Sequence, residues 1–260
     1  MAVVVDLDGV VWLAEQAIPG GARAVTMLRD AGERVVFLTN NSFTSNRDLV
    51  ARLARIGIEA AGGDVLSSAE AAATLLEAGS RALVVGGSGI VEALTAAGVE
   101  AVPAASMTDG ATEVDAVVVG FDPDFDFSRL AAASSAVRGG ARFVATNEDA
   151  TYPTPAGPIP GAGSLVAAVA CAAGIAPVVA GKPHEPVVRL LEARVGKVAL
   201  VVGDRPSTDG ALARRLGARY GLVLTGVTPA GHGPLEPSPD LEADTFLDLA
   251  ERYTGVLEAR

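Results

Sequence analysis

The stretch VVVDLDG at residues 3–9 decides the fold, because a run of β-branched apolar residues ends there in two acids and a glycine. β-branched residues favour strands, and an unbroken apolar run indicates a strand that is buried on both faces. RVVFLT at residues 34–39 repeats the pattern, after a segment at residues 20–31 with helical spacing. Two consecutive strand–helix units predict a parallel sheet covered by helices, and therefore an α/β fold.

Further short apolar runs alternate with helical segments along the rest of the chain. We expect strands at residues 82–86, 115–120, 142–146, 178–183, 197–204 and 220–226. Ser45 followed by Asp48 predicts the capped start of a helix that continues to Ile56. Residues 147–163 form a Pro- and Gly-rich connection. Structureless connections longer than about 12–15 residues are usually functional, so we expect a role for this one.

Composition excludes several classes of function. The 260 residues include 20 Lys and Arg against 31 Asp and Glu, and the formal net charge of -11 repels nucleic acid and anionic membranes. The N-terminus lacks the features of a signal peptide, and every apolar run is shorter than the roughly 18 residues of a membrane span. The single cysteine, Cys171, forms no internal disulfide and is expected to lie buried in a helix. We therefore expect a cytoplasmic protein.

Polar residues follow the apolar runs at the points where the predicted strands end. In an open parallel sheet these carboxyl ends share one edge, where ligands bind. Acids gathered there repel one another unless a cation neutralises them, and oxygen ligands favour a hard ion such as magnesium. A lysine supplies positive charge for phosphate oxygens. The set predicts magnesium-dependent phosphoryl transfer, and its members are Asp6, Asp8, Thr39, Lys182 and Asp204.

Two of these acids suit the cleavage of a phosphate ester. Asp6 would attack phosphorus and form an aspartyl-phosphate, and Asp8 would protonate the leaving alkoxide and then deprotonate water. Asp209 would hold a metal-bound water or orient Lys182. Each segment alone has a plainer explanation, such as an Asp-Gly turn. The functional prediction depends on all four segments occurring in this order, each after an apolar run.

The segment after the second strand offers further hydrogen-bond donors. Asn40, Asn41 and Ser42 are predicted to bind phosphate beside Thr39, and the alternative is that they cap the following helix. Trp12 comes soon after the first acidic turn. It would pack over the site or fill the core, and the sequence does not decide between these two positions.

DLDG, FLTNNS, GKP and GDRPSTD resemble, in this order, the motifs of the haloacid dehalogenase superfamily. The longer matches DLDGVVW, VVVGFD and ATNEDATYPTPAGPIPGAGSL resemble a subfamily of 4-nitrophenyl, phosphoglycolate and pyridoxal phosphatases, which includes N-acetylglucosamine-phosphatase-like proteins. The resemblance covers nearly the whole chain. It implies a Rossmann-like catalytic core of residues 1–64 and 179–260, with an inserted α/β cap domain for substrate specificity at residues 65–178.

The resemblance also implies the roles of the site residues. Thr39 and Lys182 would hold the phosphate. Relatives with this type of cap often dimerise through it, so a homodimer is implied as well. Ser207 departs from the pattern where an acid is expected, and Phe43 departs where some relatives carry a basic or a small residue. The magnesium ion would be bound by Asp6, the backbone carbonyl of Asp8, Asp204 and, in support, Asp209.

The cap connection bears on the leaving group. Asn147, Asp149 and Tyr152 are predicted to face the substrate, and Glu148 with Asp149 would disfavour a second anionic group. We therefore expect a small phosphorylated metabolite, a sugar or polyol phosphate such as glycerol 3-phosphate or 2-phosphoglycolate, with a neutral polyol preferred. Two alternatives stay open: a phosphotransferase or phosphomutase on the same fold, and a non-catalytic sensor of phosphorylated metabolites.

Overall fold

The computed structural model describes residues 1–14, 16–106, 113–154 and 157–258, and two parallel sheets dominate them. In the larger one, the core sheet, every neighbouring pair of strands runs parallel. Its first strand lies in the middle, so the end of that strand at Asp6 stands at the centre of one sheet edge. The spatial order is β15 (Leu241–Ala243), β14 (Arg219–Val223), β13 (Val198–Gly203), β1 (Ala2–Asp6), β4 (Arg34–Thr39) and β5 (Val65–Ser67).

The second sheet, the cap sheet, is formed by the middle of the chain and is also parallel. Its spatial order is β12 (Val178–Val179), β9 (Arg142–Ala145), β8 (Ala116–Val119), β6 (Arg81–Val85) and β7 (Glu100–Pro103). The helices are α1 (Gly21–Asp30), α2 (Asn46–Arg55), α3 (Ser68–Ala73), α4 (Ser88–Ala96), α5 (Phe127–Arg138), α6 (Ala162–Ala173), α7 (Glu185–Val195), α8 (Ala211–Leu216) and α9 (Phe246–Glu258).

Alternate residues of each strand pack into different layers, as the unbroken apolar runs predict. Val3 and Val5 of β1 pack with α1, α2 and α9 on the outer face of the core sheet. Val4 packs on the inner face, in an apolar cluster that also holds Val84 and Val118 of the cap sheet, together with residues of α3, α7 and α8. The cap sheet therefore packs onto the core through a shared interior. The predicted α/β fold is confirmed.

The predicted division into domains at residues 64/65 and 178/179 stays a prediction. The strand at Val65–Ser67 pairs with β4 in the core sheet, and the strand at Val178–Val179 pairs with β9 in the cap sheet. Within the parts of the chain that the structure describes, no helix is long and apolar enough to cross a membrane.

Three features differ from the sequence-based expectations. Residues 147–163 are not a plain loop, since they contain the antiparallel hairpin of β10 (Thr151–Thr154) and β11 (Gly157–Pro160), where prolines are tolerated because each strand has a free edge. A second hairpin, β2 (Trp12–Leu13) and β3 (Gln16–Ala17), follows the first acidic turn. The prediction that Cys171 is buried is wrong: it is exposed, on the side of α6 away from the buried Val169.

Candidate active site

The predicted site residues meet at one edge of the core sheet because three neighbouring strands end there. Asp6 ends β1, Thr39 ends β4 and Asp204 directly follows β13. Lys182 reaches the same point from the turn between β12 and α7. These four side chains lie on the wall of a cavity of about 150 Å³ that opens between the core and the hairpin β10–β11. The topology therefore brings together residues that are up to 198 positions apart in the chain.

Lys182 is a buried cation held between two carboxylates. Its Nζ lies 2.8 Å from Oδ1 of Asp6 and 2.7 Å from Oδ1 of Asp209. Burial alone would lower the pKa of Lys182, but the carboxylates of Asp209 and Asp6 outweigh burial and raise the pKa above its usual value. The other oxygen of Asp209 accepts a hydrogen bond from the backbone N–H of Arg205 at 3.2 Å. Of the two roles predicted for Asp209, the geometry supports orienting Lys182.

Three buried carboxylates give the site an excess of negative charge. One oxygen from each of Asp6, Asp204 and Asp209 lies within 4.8 Å of the others. Burial, with the nearby Asp209, raises the pKa of Asp204 to about 6. Burial also raises the pKa of Asp6 well above its usual value, although Lys182 opposes this rise. The charged form of both carboxyls is thus disfavoured in the absence of a further cation, and an all-oxygen acidic cluster of this kind fits a hard divalent ion such as magnesium.

Two glycines make room for the Asp204 carboxylate. A Cβ atom on Gly226 would lie 1.9 Å from Oδ2 of Asp204, and one on Gly9 would lie 2.5 Å from the same oxygen. Gly9 also has a φ of 82°, which L side chains rarely adopt. The backbone N–H of Val227 donates to Oδ2 of Asp204 at 2.5 Å. The DLDG turn and the segment after β14 therefore form a cradle for this carboxylate, with no space for any larger residue.

Asp8 lies on the cavity wall beside Asp6 with both carboxyl oxygens near a donor. Oδ1 accepts from Nε1 of Trp12 at 3.1 Å, and Oδ2 lies 3.4 Å from Oγ1 of Thr39. Burial raises the pKa of Asp8, against a smaller lowering by the Trp12 hydrogen bond. A raised pKa favours the protonated form that a general acid needs. Trp12 contacts the Asp8 carboxyl and is also part of the core, which answers the question that the sequence left open.

The three polar residues after β4 have separate roles. The Asn40 side chain accepts from the backbone N–H of Lys182 at 2.8 Å and donates to Oδ2 of Asp149 at 3.1 Å, so it links the lysine to the cap. Asn41 lines the cavity, and its Oδ1 accepts from the backbone N–H of Phe43 at 2.9 Å. Ser42 is fully buried, and its hydroxyl pairs with Thr146 at 2.9 Å. Ser42 therefore offers no surface to a phosphate, contrary to its predicted role.

The cap contributes the opposite wall of the cavity. Asn147, Asp149 and Tyr152, the cap residues predicted to face the substrate, all line it. Asp149 pairs with Arg205 of the core, Oδ1 to Nη1, at 3.3 Å. Tyr152 stacks on Phe121 with ring centroids 5.2 Å apart. Arg205 and Phe121 received no role from the sequence, although the basic residue directly after Asp204 was a usable signal for the first of them.

The remaining residues of interest lie outside the described cavity lining. Oε1 of Glu148 lies 2.8 Å from Nε2 of His184, and neither residue lines the cavity. Phe43 is partly exposed and packs edge-on against Phe121, with ring centroids 5.9 Å apart. Ser207 is exposed in the π-helical turn Pro206–Gly210. The two departures from the family pattern, at positions 43 and 207, therefore act at most indirectly on a ligand.

Comparison with known proteins identifies the chemistry of related sites. A family model described as haloacid dehalogenase-like hydrolase matches residues 3–100, and a second model of the same kind matches residues 179–249. The chain is 39% identical over 231 residues to a D-glycerol 3-phosphate phosphatase of Mycobacterium tuberculosis, and the match covers 87% of this chain and 63% of that protein. This chain thus spans less than two thirds of that relative's length.

One further relative and one solved structure extend the comparison. The chain is 34% identical over 278 residues to phosphoglycolate phosphatase 2 of Arabidopsis thaliana, with 98% of this chain and 92% of that protein covered. Its fold matches the crystal structure of a glycerol phosphate phosphatase of Mycobacterium tuberculosis in complex with magnesium, with a TM-score of 0.84 and 36% identity. That match covers 95% of this chain and 75% of the other.

Proposed function

The chain belongs to the haloacid dehalogenase-like hydrolases, and from that premise we propose that it hydrolyses small phosphate monoesters through an aspartyl-phosphate on Asp6. The observation that carries the proposal is the cluster of three buried carboxylates, two of which pair with the Lys182 ammonium, beside a small cavity. A nucleophile, an acid, a fixed cation and the ligands of a metal ion are the parts that phosphoryl transfer requires.

Membership of the family confirms two predictions at the level of class. The relatives are named phosphatases, so the chain is a phosphoric monoester hydrolase. Magnesium is the cofactor, given the magnesium complex of a related enzyme and the fit of the acidic cluster. The roles of individual residues, the leaving group, the homodimer and the cytoplasmic location stay predictions.

The residues of the chain divide the chemistry between them. When bound, magnesium supplies the positive charge that offsets the acidic cluster and the phosphate. Asp6 attacks phosphorus, and the bond from phosphorus to the leaving oxygen breaks. The Asp8 carboxyl gives its proton to that oxygen, so the leaving group departs as a neutral alcohol. Asp8, now ionised, takes a proton from water as the water attacks phosphorus, which releases inorganic phosphate and restores Asp6. Lys182 holds a phosphate oxygen throughout.

The shape of the cavity restricts the leaving group to a small one. Its volume of about 150 Å³ is well below the roughly 300–1,000 Å³ of pockets for drug-sized ligands. Leu13 and Tyr152 supply apolar lining, and Asp149 supplies a carboxylate that Arg205 already neutralises. A second anionic group on the substrate would meet Asp149 and would compete with it for Arg205. A short neutral polyol, as in glycerol 3-phosphate, avoids both penalties.

The test is the release of inorganic phosphate from a panel of monoesters, with magnesium and with chelator. The panel contains glycerol 3-phosphate, 2-phosphoglycolate, 4-nitrophenyl phosphate, pyridoxal phosphate and sugar phosphates. We expect magnesium-dependent release that Asp6→Asn abolishes in a folded protein. Activity retained by folded Asp6→Asn would refute the nucleophile, and no release from any ester would refute the reaction.

A variant of the cap tests the proposed preference for a neutral polyol as the leaving group. Wild-type protein is expected to prefer glycerol 3-phosphate to 2-phosphoglycolate, by kcat/KM. Asp149→Asn removes the cap carboxylate and frees Arg205 for a substrate carboxylate, so this variant should narrow or reverse the preference. A wild-type preference for 2-phosphoglycolate would contradict the assignment of a neutral leaving group while leaving the reaction itself intact.

A further inference from the structure

The hydrogen bond from Trp12 to Asp8 has a consequence for where Asp8 carries its proton. Nε1 of Trp12 lies 3.1 Å from Oδ1 of Asp8. An indole N–H only donates, so Oδ1 is always the acceptor in this contact. The hydroxyl oxygen of a protonated carboxyl is a poorer acceptor than its carbonyl oxygen, so the contact favours the proton on Oδ2. Oδ2 lies 3.4 Å from Oγ1 of Thr39, on the cavity wall. A threonine hydroxyl can accept as well as donate, so, unlike the indole, it allows the neighbouring oxygen to carry the proton.

Burial, a backbone hydrogen bond and a contact with Arg52 hold Trp12 in place. It is 1% exposed, and its carbonyl oxygen accepts from the backbone N–H of Gly9 at 2.7 Å. The guanidinium carbon of Arg52, on α2, lies 4.0 Å from the centroid of the indole. Arg52 also donates to the carbonyl of Ala14 in the β2–β3 turn, where φ is 48°. Arg52 therefore fixes both the ring and the hairpin that presents it.

We propose that Trp12 is a positioning residue for the reaction: it holds the Asp8 carboxyl so that the proton-bearing oxygen is the one presented to the leaving group, and Arg52 holds Trp12. The inference rests on the proposed function, because it gives Asp8 the role of general acid. It adds a residue outside the acidic cluster to the machinery, and it explains why a large aromatic side chain occupies the first strand of the β2–β3 hairpin.

A positioning role of this kind predicts a dependence on the leaving group. The alkoxide of an alkyl phosphate is a poor leaving group and needs the proton of Asp8 as the bond to phosphorus breaks. The 4-nitrophenolate ion is stable without that proton. Losing the correct orientation of Asp8 should therefore harm the alkyl ester much more than the aryl ester. Damage to the fold, to the metal ligands or to phosphate binding would harm both esters alike.

The decisive measurement compares kcat/KM of Trp12→Phe with wild type on glycerol 3-phosphate and on 4-nitrophenyl phosphate. This ratio reports the steps up to release of the alcohol, so the later hydrolysis step does not mask the effect. General acid help is worth about 10²–10⁴-fold, so we expect at least a roughly tenfold loss on the alkyl ester and less than about threefold on the aryl ester. Equal losses on both esters, or no loss on either, would overturn the proposal.

A second variant decides the matter if Trp12→Phe folds poorly. Arg52→Met leaves the indole in place but removes the cation above it, so it should give the same pattern in weaker form. Arg47→Met is the matched control, because Arg47 lies on the same helix with its side chain 83% exposed, and both esters should react as in wild type. Equal losses on the two esters in Arg52→Met would refute the role of this arginine and the proposal with it.

Fluorescence gives a readout that does not depend on turnover. Trp12 is the single tryptophan of the chain, so the emission spectrum of the protein reports on this one indole. Asp8→Ala removes the acceptor of its N–H, and the emission maximum should shift. An unchanged spectrum would contradict the contact. If wild-type protein releases no phosphate from either ester, the proposed function fails, whereas a shift in emission would still support the contact between Trp12 and Asp8.

Discussion

The stability of the magnesium-free protein should fall as the pH rises from 4 to 7, and Asp204 should cause much of the change. Its folded pKa is about 6, against 3.8 for an unperturbed aspartate, because burial and Asp209 disfavour the charged form. Between these two values the folded protein keeps a proton that the unfolded chain releases. The difference of about two pKa units, at about 1.4 kcal/mol each, corresponds to about 3 kcal/mol in the free energy of unfolding.

The direction follows from the raised pKa. The contribution of Asp204 to the free energy of unfolding is fully present below pH 3.8 and is lost as the pH rises through 6. Asp6 acts in the same direction, since its pKa is raised as well. The assay is urea unfolding in the presence of chelator from pH 4 to pH 8, for wild type and for Asp204→Asn. Asparagine does not titrate, so subtracting the two curves isolates this residue.

The difference curve should fall by about 2 kcal/mol between pH 4 and pH 7, because the unfolded carboxyl has already begun to ionise at pH 4, and should then stay level. Magnesium at a hundred times its Kd should stabilise wild type at pH 7 by about 2.7 kcal/mol, because it binds the ionised acids. The same magnesium concentration should do little for Asp204→Asn. A difference curve that stays flat across this range would refute the raised pKa of Asp204 in the magnesium-free protein.

Three further outcomes follow from the geometry of the site. Asp8→Asn should lose about 10²–10⁴-fold in kcat on alkyl phosphates, and a variant with full activity would exclude the acid/base role. Gly226→Ala should weaken magnesium binding about ten- to a hundredfold, because the new Cβ would lie 1.9 Å from Asp204, whereas Gly233→Ala, which meets nothing within 4 Å, should bind as wild type. Lys182→Met should destabilise the magnesium-free protein by about 3–5 kcal/mol, measured by urea unfolding, since it leaves Asp6 and Asp209 unpaired.

The catalytic edge of the core sheet could be predicted from the sequence because its determinants are local. Parallel strands buried on both faces produce unbroken valine runs, and the residue that follows each run occupies the carboxyl edge. Asp6, Thr39 and Asp204 were placed by that rule, and the structure brings them together on one cavity wall. Lys182 was placed in the same way, although the strand before it belongs to the cap sheet.

The features that the sequence did not predict depend on how the cap packs against the core. The Asp149–Arg205 pair joins residues that are 56 positions apart, and nothing local to either residue indicates the other. Ser42 looked like a phosphate ligand because its neighbours are polar, yet it faces Thr146 of the cap and is buried by it. The sequence did not predict that Thr151–Thr154 and Gly157–Pro160 pair as strands, because prolines are rare within strands.

The charge of the site also constrains the order in which ligands bind. When ionised, the carboxylates of Asp6, Asp204 and Asp209 carry three negative charges, and Lys182 offsets one of them, so two remain in a buried space. A phosphate monoester dianion brings two more negative charges to the same place, and such repulsion is screened little away from water. Magnesium brings the cluster close to neutrality. We therefore expect phosphate esters to bind only weakly until magnesium is bound. The same acidic cluster that destabilises the magnesium-free fold thus makes the cation a condition for substrate binding.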